Sequence, residues 1–392
     1  MTLRRIAGTL LAVLAAAPAA FAGFADTPGK STFVLDVNYQ YAYTNHNFDD
    51  QGKLVNLNDD IVMYDPAGTA LGTISVPAFH YDKVLLTQAF YGFTEKFAAG
   101  VVVPYFLDSK TELNLNWTAG AYAGDLGRPY TESDFWQFAG SMGQAKPGDF
   151  QAKSRLGDVV LGGVYGLKKT PRWQTSLLGF VSTRTGTLAD PEILGASGTT
   201  GFELQTNGDA GLHVLGDYFF NPRISAGGEL FYEAFFPRRL KSAFGKVNPL
   251  LSYEGRYNGG GYLVVPSDWV GGSAGVQFVL LRGTQEPSWI TRGNPAMQKT
   301  LPPLLTVRPA LKYTRFFGNR YRSDSPYFDL TQDRRHPGGF RWNFDFVAAL
   351  NFLRYGVPLG PYYQYHTQEW IAGRNFFPVI DHTFGVQLYA AF

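Results

Sequence analysis

The chain has no cysteine, which removes disulfides, thiolate metal sites and thiol nucleophiles together. Charge is scarce as well. Asp, Glu, Lys and Arg supply 17 % of the residues, where a globular domain carries roughly a quarter. The charge present is balanced, 34 basic residues against 32 acidic, so no basic excess marks a nucleic-acid partner. Beyond the first few dozen residues, no apolar run is long enough for a membrane-spanning helix. No internal repeat and no low-complexity tract divides the chain, which reads as one domain.

The one apolar run sits at the start. MTLRR is positively charged, IAGTLLAVLAAAPAA is short and apolar, and Ala20-Phe21-Ala22 fits a small-x-small cleavage site. Residues 1–22 are therefore expected to be a secretory signal peptide, with the mature chain beginning at Gly23. Loss of Arg4 and Arg5 leaves 32 residues of each sign.

Glycine and aromatic residues are abundant: 45 Gly, 32 Phe and 23 Tyr among 392 residues. They fall in a two-residue period. The segment 340–352 places Phe340, Trp342, Phe344, Phe346, Ala348, Leu350 and Phe352 on one side, and Arg341, Asn343, Asp345 and Asn351 on the other. In 33–43, six apolar or aromatic residues oppose Asp36, Asn38 and Gln40. The chain ends HTFGVQLYAAF, with Phe384, Val386, Leu388, Ala390 and Phe392 in one phase. Strands that alternate this way, with aromatics at both ends, suit a sheet coated by hydrocarbon on one face.

Twelve such strands are expected, near 31–45, 83–92, 97–107, 157–168, 173–184, 208–220, 224–236, 268–281, 304–316, 340–353, 361–371 and 382–392. Their links alternate in length. GFTEK (92–96), KKTPR (168–172), FNPR (220–223) and RYGVPLG (354–360) are tight turns, while 46–82, 108–156, 185–207, 237–267 and 317–339 are long. The link 282–303 departs from the alternation. The fold class expected is all-β: a transmembrane antiparallel up-and-down β-barrel of about 12 strands in a bacterial outer membrane, with lipid around it. The terminal Phe392 resembles the signal by which the barrel assembly machinery recognises its clients. Within 108–156, TESDFWQFAGSMG has a helical pattern with Thr131 or Ser133 as cap. The long links can cover the mouth or enter the lumen.

If the aromatic phase faces lipid, the other phase lines the interior. That assigns Asp209, His213, Asp217, Glu229, Glu233, Arg308, Lys312, Arg341, Asp345 and His366 to the lumen. Acidic and basic strands are spaced along the chain, which predicts separate acidic and basic sectors. No catalytic grouping accompanies them. None of the six histidines (His46, His80, His213, His336, His366, His382) has serine two residues on, as outer-membrane lipid hydrolases require, and no G-x-S-x-G elbow occurs. Asp209, His213 and Asp217 share a face, but four-residue steps along a strand span about 13 Å, too far for one ion. No metal, cofactor or enzymatic role is expected.

Two segments resemble a known family. YGFTEKFAAGVVVPYF is similar to a "YGLT(D/E)-x-x-x-x-G-x-x-x-PY" hairpin, and GDVVLGGVYGLKK to a "GD-x-x-LG-x-x-Y-x-L" strand. Both patterns belong to outer-membrane transporters labelled as a meta-pathway phenol-degradation family. The resemblance is best over 83–236 and implies uptake of small organic solutes of aromatic or hydrophobic character. It carries no binding residues with it. Long-chain fatty-acid and aromatic-hydrocarbon transporters share the Phe/Gly richness but place a plug before their first strand, and here that strand follows the expected cleavage site within about nine residues. The alternative is a non-transporting barrel that acts through its external loops as an adhesin or scaffold.

Overall fold

In the computed structural model, residues 28–48, 54–56, 60–64, 68–75, 77–120, 122–123, 127–141, 150–186, 208–241, 261–265, 268–283, 302–317, 320–323, 339–369 and 380–391 are described. The expected signal peptide (1–22) and Phe392 lie outside them. Twelve antiparallel strands close into a barrel: β1 Phe33–Thr44, β2 Ala78–Gly92, β3 Phe97–Leu113, β4 Val160–Lys169, β5 Trp173–Ser182, β6 Asp209–Asn221, β7 Ile224–Phe235, β8 Trp269–Leu281, β9 Leu305–Phe316, β10 Gly339–Leu350, β11 Leu359–Glu369 and β12 Ile380–Ala391. Each pairs with the next, and β12 pairs with β1 from Val34↔Ala391 to Tyr43↔His382. Closure leaves no free edge, the condition a bilayer imposes on a sheet.

Every expected strand is present, within a few residues, and two are longer than expected. β2 starts at Ala78 and β3 runs to Leu113, so both links flanking this hairpin give up residues to the sheet. The strand Phe150–Leu156 also pairs with the outer part of β3, continuing the line of β4 beyond the barrel rim.

The tight turns are closed by side-chain oxygens. Thr94 Oγ1 accepts from Phe97 N (2.9 Å), Thr170 Oγ1 from Trp173 N (2.9 Å), and Asn221 Oδ1 from Arg223 N (2.8 Å) and Ile224 N (3.0 Å). Between β10 and β11 the chain makes one 3-10 turn, Leu353–Tyr355, which ends on Gly356 at φ 81°, a conformation open to glycine and costly for most residues. β8 and β9 pair directly despite the longer link between them, most of which lies outside the described residues.

The two faces differ as the alternation demands. Outward lie Leu161, Leu212, Val214, Leu230, Leu311, Phe344, Val386 and Leu388, all exposed. Leu230, at 68 %, is among the most exposed. Aromatic rings gather at both rims. At the turn end Tyr91 meets Phe93 (5.0 Å) and Trp173 meets Tyr218 (5.9 Å); at the loop end Tyr41 meets Tyr81 (5.7 Å) and Tyr363 meets Phe384 (5.1 Å). From Phe33 to Tyr43 a strand runs about 33 Å, which at a tilt of roughly 40° gives about 25 Å along the barrel axis. That matches the apolar band of an outer-membrane barrel.

Inward, large rings rest on glycines of the adjacent strand. Phe90 stands opposite Gly100, Phe180 opposite Gly211, Phe231 opposite Gly271 and Tyr362 opposite Gly385. A Cβ on Gly271 would come within 2.6 Å of the Phe231 ring and 2.1 Å of the Tyr313 carbonyl oxygen. Pairing large with small in this way lets side chains fill the interior without forcing the strands apart.

Part of the external layer is ordered into its own elements. Ile61–Tyr64, Ala70–Ser75 and Asn116–Ala119 form a three-stranded sheet, and Trp117 packs on Phe135 of helix α1, Glu132–Ser141. Thr131 is the cap. Its Oγ1 accepts from Asp134 N (3.3 Å), while the Asp134 carboxylate accepts from Thr131 N (2.8 Å). Arg128 grips the same carboxylate through both Nη atoms, at 2.5 and 2.8 Å. These hydrogen bonds, Arg128 first, hold the Asp134 carboxyl well below its ordinary range. A depressed carboxylate contributes order that is complete above the unfolded value near pH 4 and fades as pH falls through the lower folded value. Amide exchange in Glu132–Ser141 should therefore be unchanged from pH 8 to 5 after correction for intrinsic rates, and accelerate only in stronger acid. Acceleration already at pH 5 would show that this clamp does not order the helix.

Candidate functional site: the barrel lumen

The interior wall is predominantly polar over strands β6 to β12 and β1. Asp36, Asn38 and Gln40 of β1, Asn343 of β10, Gln364 of β11 and Gln387 of β12 are buried there. Nine of the ten residues expected to line the lumen have described side chains, and burial places them in the inward phase or in contact with inward groups. Arg341 takes the register position opposite Thr314, and its side chain is outside the described set.

Their grouping differs from expectation. Separate acidic and basic sectors do not form, because the charges reach across strands and meet. His213 Nδ1 donates to Glu229 Oε2 at 3.1 Å, and His213 Nε2 lies 3.3 Å from Glu233 Oε1 without hydrogen-bond alignment. Lys312 Nζ is 3.7 Å from Glu229 Oε1 and 4.5 Å above the centre of the Phe231 ring. These groups belong to β6, β7 and β9, with β8 between the last two. The link is possible because β8 presents Gly271, Ser273 and Gly275 inward, leaving space over its backbone for the neighbours' side chains.

The other charges close the same network. Arg308 lies in the field of Asp345, Glu229 and Asp217. His366 Nδ1 contacts Asp345 Oδ1, and Asn343 Nδ2 donates to His366 Nε2 at 3.2 Å. The imidazole is thus held between an acceptor and a donor, which orients it fully. Asp209 and Asp217 flank His213 on β6, four residues to either side, and the three do not converge on a point. Among the described residues no group of three or more His, Asp or Glu has the geometry to hold a metal ion.

Several buried polar atoms have no hydrogen-bond partner among the described residues: both oxygens of Glu233, Oδ1 of Asp36, Oε1 of Gln40, Oγ1 of Thr314 and Oδ1 of Asn343. An unsatisfied buried polar atom costs about 1–3 kcal/mol, more if charged, so such a cluster calls for water or solute against the wall.

The remaining sector, β2 to β5, differs from the rest of the wall in a way the charge pattern of the sequence does not announce. Leu86, Val102, Val160 and Phe180 are buried together on its inner face, with Phe90 against them. Above this strip lie His80, Asp82, Ser109 and Arg155, also buried. In sequence, 150–156 belongs to the long link 108–156, so Arg155 carries no facing signal of its own. The alternation signal is weak there, and only pairing with β3 reveals its facing.

Closed cylinder, apolar belt, two aromatic girdles and ionisable lumen together define a transmembrane β-barrel of the bacterial outer-membrane type. The structure is similar to the crystal structure of an outer membrane channel from Pseudomonas putida F1, at a TM-score of 0.52 and 10 % identity over 94 % of this chain and 97 % of that one. The KdgM porin (TM-score 0.35, 8 % identity, 90 % and 98 % of the two chains) and the CymD monoaromatic hydrocarbon channel (0.33, 9 %, 93 % and 89 %) align far more loosely. At these identities the likeness bears on fold alone. No family model matches the chain, and no curated protein is significantly similar to it in sequence.

Proposed function

We propose that the chain resides in a bacterial outer membrane, surrounded by lipid, and conducts small organic solutes, aromatic or hydrophobic in character, passively across it. The observation that carries this reading is the lumen wall: buried ionisable and amide groups whose free polar atoms need water, beside an apolar strip on the same inner surface. A barrel needing only mechanical integrity could fill its interior with apolar side chains and avoid those unmet costs. The Pseudomonas protein of similar fold is described as an outer membrane channel, in keeping with this reading. The phenol-degradation resemblance of 83–236 points to the same solute class.

Planar-bilayer recording tests it. The wild type should give discrete conductance steps, and Arg308→Gln with Lys312→Gln should shift the reversal potential in a salt gradient toward cation preference, since two cationic groups leave the path while Glu229, Asp217 and Asp345 remain. No conductance in the wild type, or an unchanged reversal potential in the variant, would contradict the proposal.

A second reading has its own support. The external sheet and α1, with its Thr131, Arg128 and Asp134 clamp, form a built surface rather than a bare connection. A barrel acting through that surface predicts no solute flux and loss of activity on deleting residues 114–149.

A further inference from the structure

Arg155 is 9 % exposed, faces the lumen, and none of its three guanidinium nitrogens has a hydrogen-bond partner among the described residues. Among the described residues no carboxylate lies within ion-pair distance of it. Asp82 acts on it only at longer range and has His80 as its close partner at 3.2 Å. A buried guanidinium without partners costs several kcal/mol, so this arrangement stands only if something else meets it there.

The backbone is shaped to put it there. Lys83 and Val84 of β2 pair with Asp108 and Phe106, leaving Leu107 as an extra residue in β3. Opposite this bulge, Ser154 adopts φ 54°, a left-handed conformation unusual for serine, and the ladder with β3 skips it. The two irregularities reset the facing, so that Arg155 and Phe106 turn inward side by side while Leu107 and Ser154 are exposed. Bulges that re-aim a side chain gather at functional sites. From Arg155 the wall continues through Phe106 to Val102, Val160 and Leu86 with no charged group among them.

We infer that this wall binds amphiphilic carboxylates, with Arg155 holding the anionic head and the apolar strip holding the hydrocarbon or aromatic body. A planar guanidinium presents two parallel N–H donors that match a carboxylate and leaves none of its charge uncompensated. A hydroxyl head would take one donor and supply no charge. The inference rests on the channel reading for its purpose but not for its test.

The full-length protein in detergent micelles is titrated calorimetrically at pH 8 with 4-phenylbutyrate and with 4-phenylbutan-1-ol, which share one apolar body, against protein-free detergent. The carboxylate should bind at least tenfold tighter than the alcohol. Arg155→Gln should abolish that preference, chiefly by weakening carboxylate binding at least tenfold, and Arg155→Lys should restore part of it. Equal affinity of the two probes, binding of neither, or a preference that survives Arg155→Gln overturns the inference. The wild-type comparison needs no variant, so it decides the matter even if Arg155→Gln does not assemble. Vesicle swelling with the same probes separates the two ideas. Preference without flux removes the channel and keeps the site, and equal flux without preference removes the site and keeps the channel.

Discussion

Replacing His213 by leucine should destabilise the barrel by about 3–5 kcal/mol, the cost of breaking a buried charge pair from one side. His213 lies between Glu229 and Glu233, and the three are almost completely buried. Without the imidazole, Glu229 keeps Lys312 at 3.7 Å, but Glu233 is left with no cation in ion-pair range among the described residues. Leucine also loses the stacking of the ring on Phe231 (5.5 Å) and its contact with Phe180 (5.6 Å). Urea unfolding from lipid vesicles, followed by tryptophan fluorescence, measures the loss. Adding Glu233→Gln to the leucine variant should recover a substantial part of it, because the stranded charge is then gone. A loss under about 1 kcal/mol for the single variant would mean that the carboxylates do not depend on the imidazole for their compensation.

The second large effect concerns the opposite face. Leu230→Arg places a charge near mid-depth of the apolar belt and should cost about 2–4 kcal/mol, while the same substitution near a girdle costs about 0–1 kcal/mol. Leu230 is flanked on its own strand by the buried Glu229 and Phe231, so the register leaves no route inward for the new side chain. The expected readout is a lower urea midpoint in vesicles and slower insertion from the unfolded state. A neutral outcome would show that this position meets water or another protein surface instead of lipid tails.

Much of the barrel was legible because lipid imposes a strict two-residue period. Phe340 to Phe352 and Phe384 to Leu388 alternate with polar partners, and burial follows that alternation through the described positions. The phase that placed Glu229, Glu233, His213 and Lys312 inside follows from the same rule. Who touches whom did not. Contact between Glu229 and Lys312 depends on glycines in a strand that neither residue belongs to, and the ring-on-glycine pairs depend on register, which turn chemistry sets outside the strands themselves. A bulge is invisible to a periodic reading by its nature, since it is a break in the period. That is why Arg155, set inward by Leu107 and Ser154, was hidden in what read as a loop.

The loop ends show the same limit from another side. The capping pattern of Thr131 and Asp134 is local, so the helix it starts was visible. The sheet that joins Ala70–Ser75 to Asn116–Ala119 is not local, and nothing in either segment names the other. Long-range pairing of two short strands leaves almost no mark in sequence.

Hydrocarbon is expected to cover one phase of every strand, and the lumen to take the other. Nitroxide labels at Thr383, Phe384, Val386, Gln387 and Leu388, in protein reconstituted into vesicles, test it most directly. Collision with dissolved oxygen should be high at 384, 386 and 388 and low at 383 and 387. A flat profile, or greater access to a water-soluble relaxant at the three apolar positions, would contradict it.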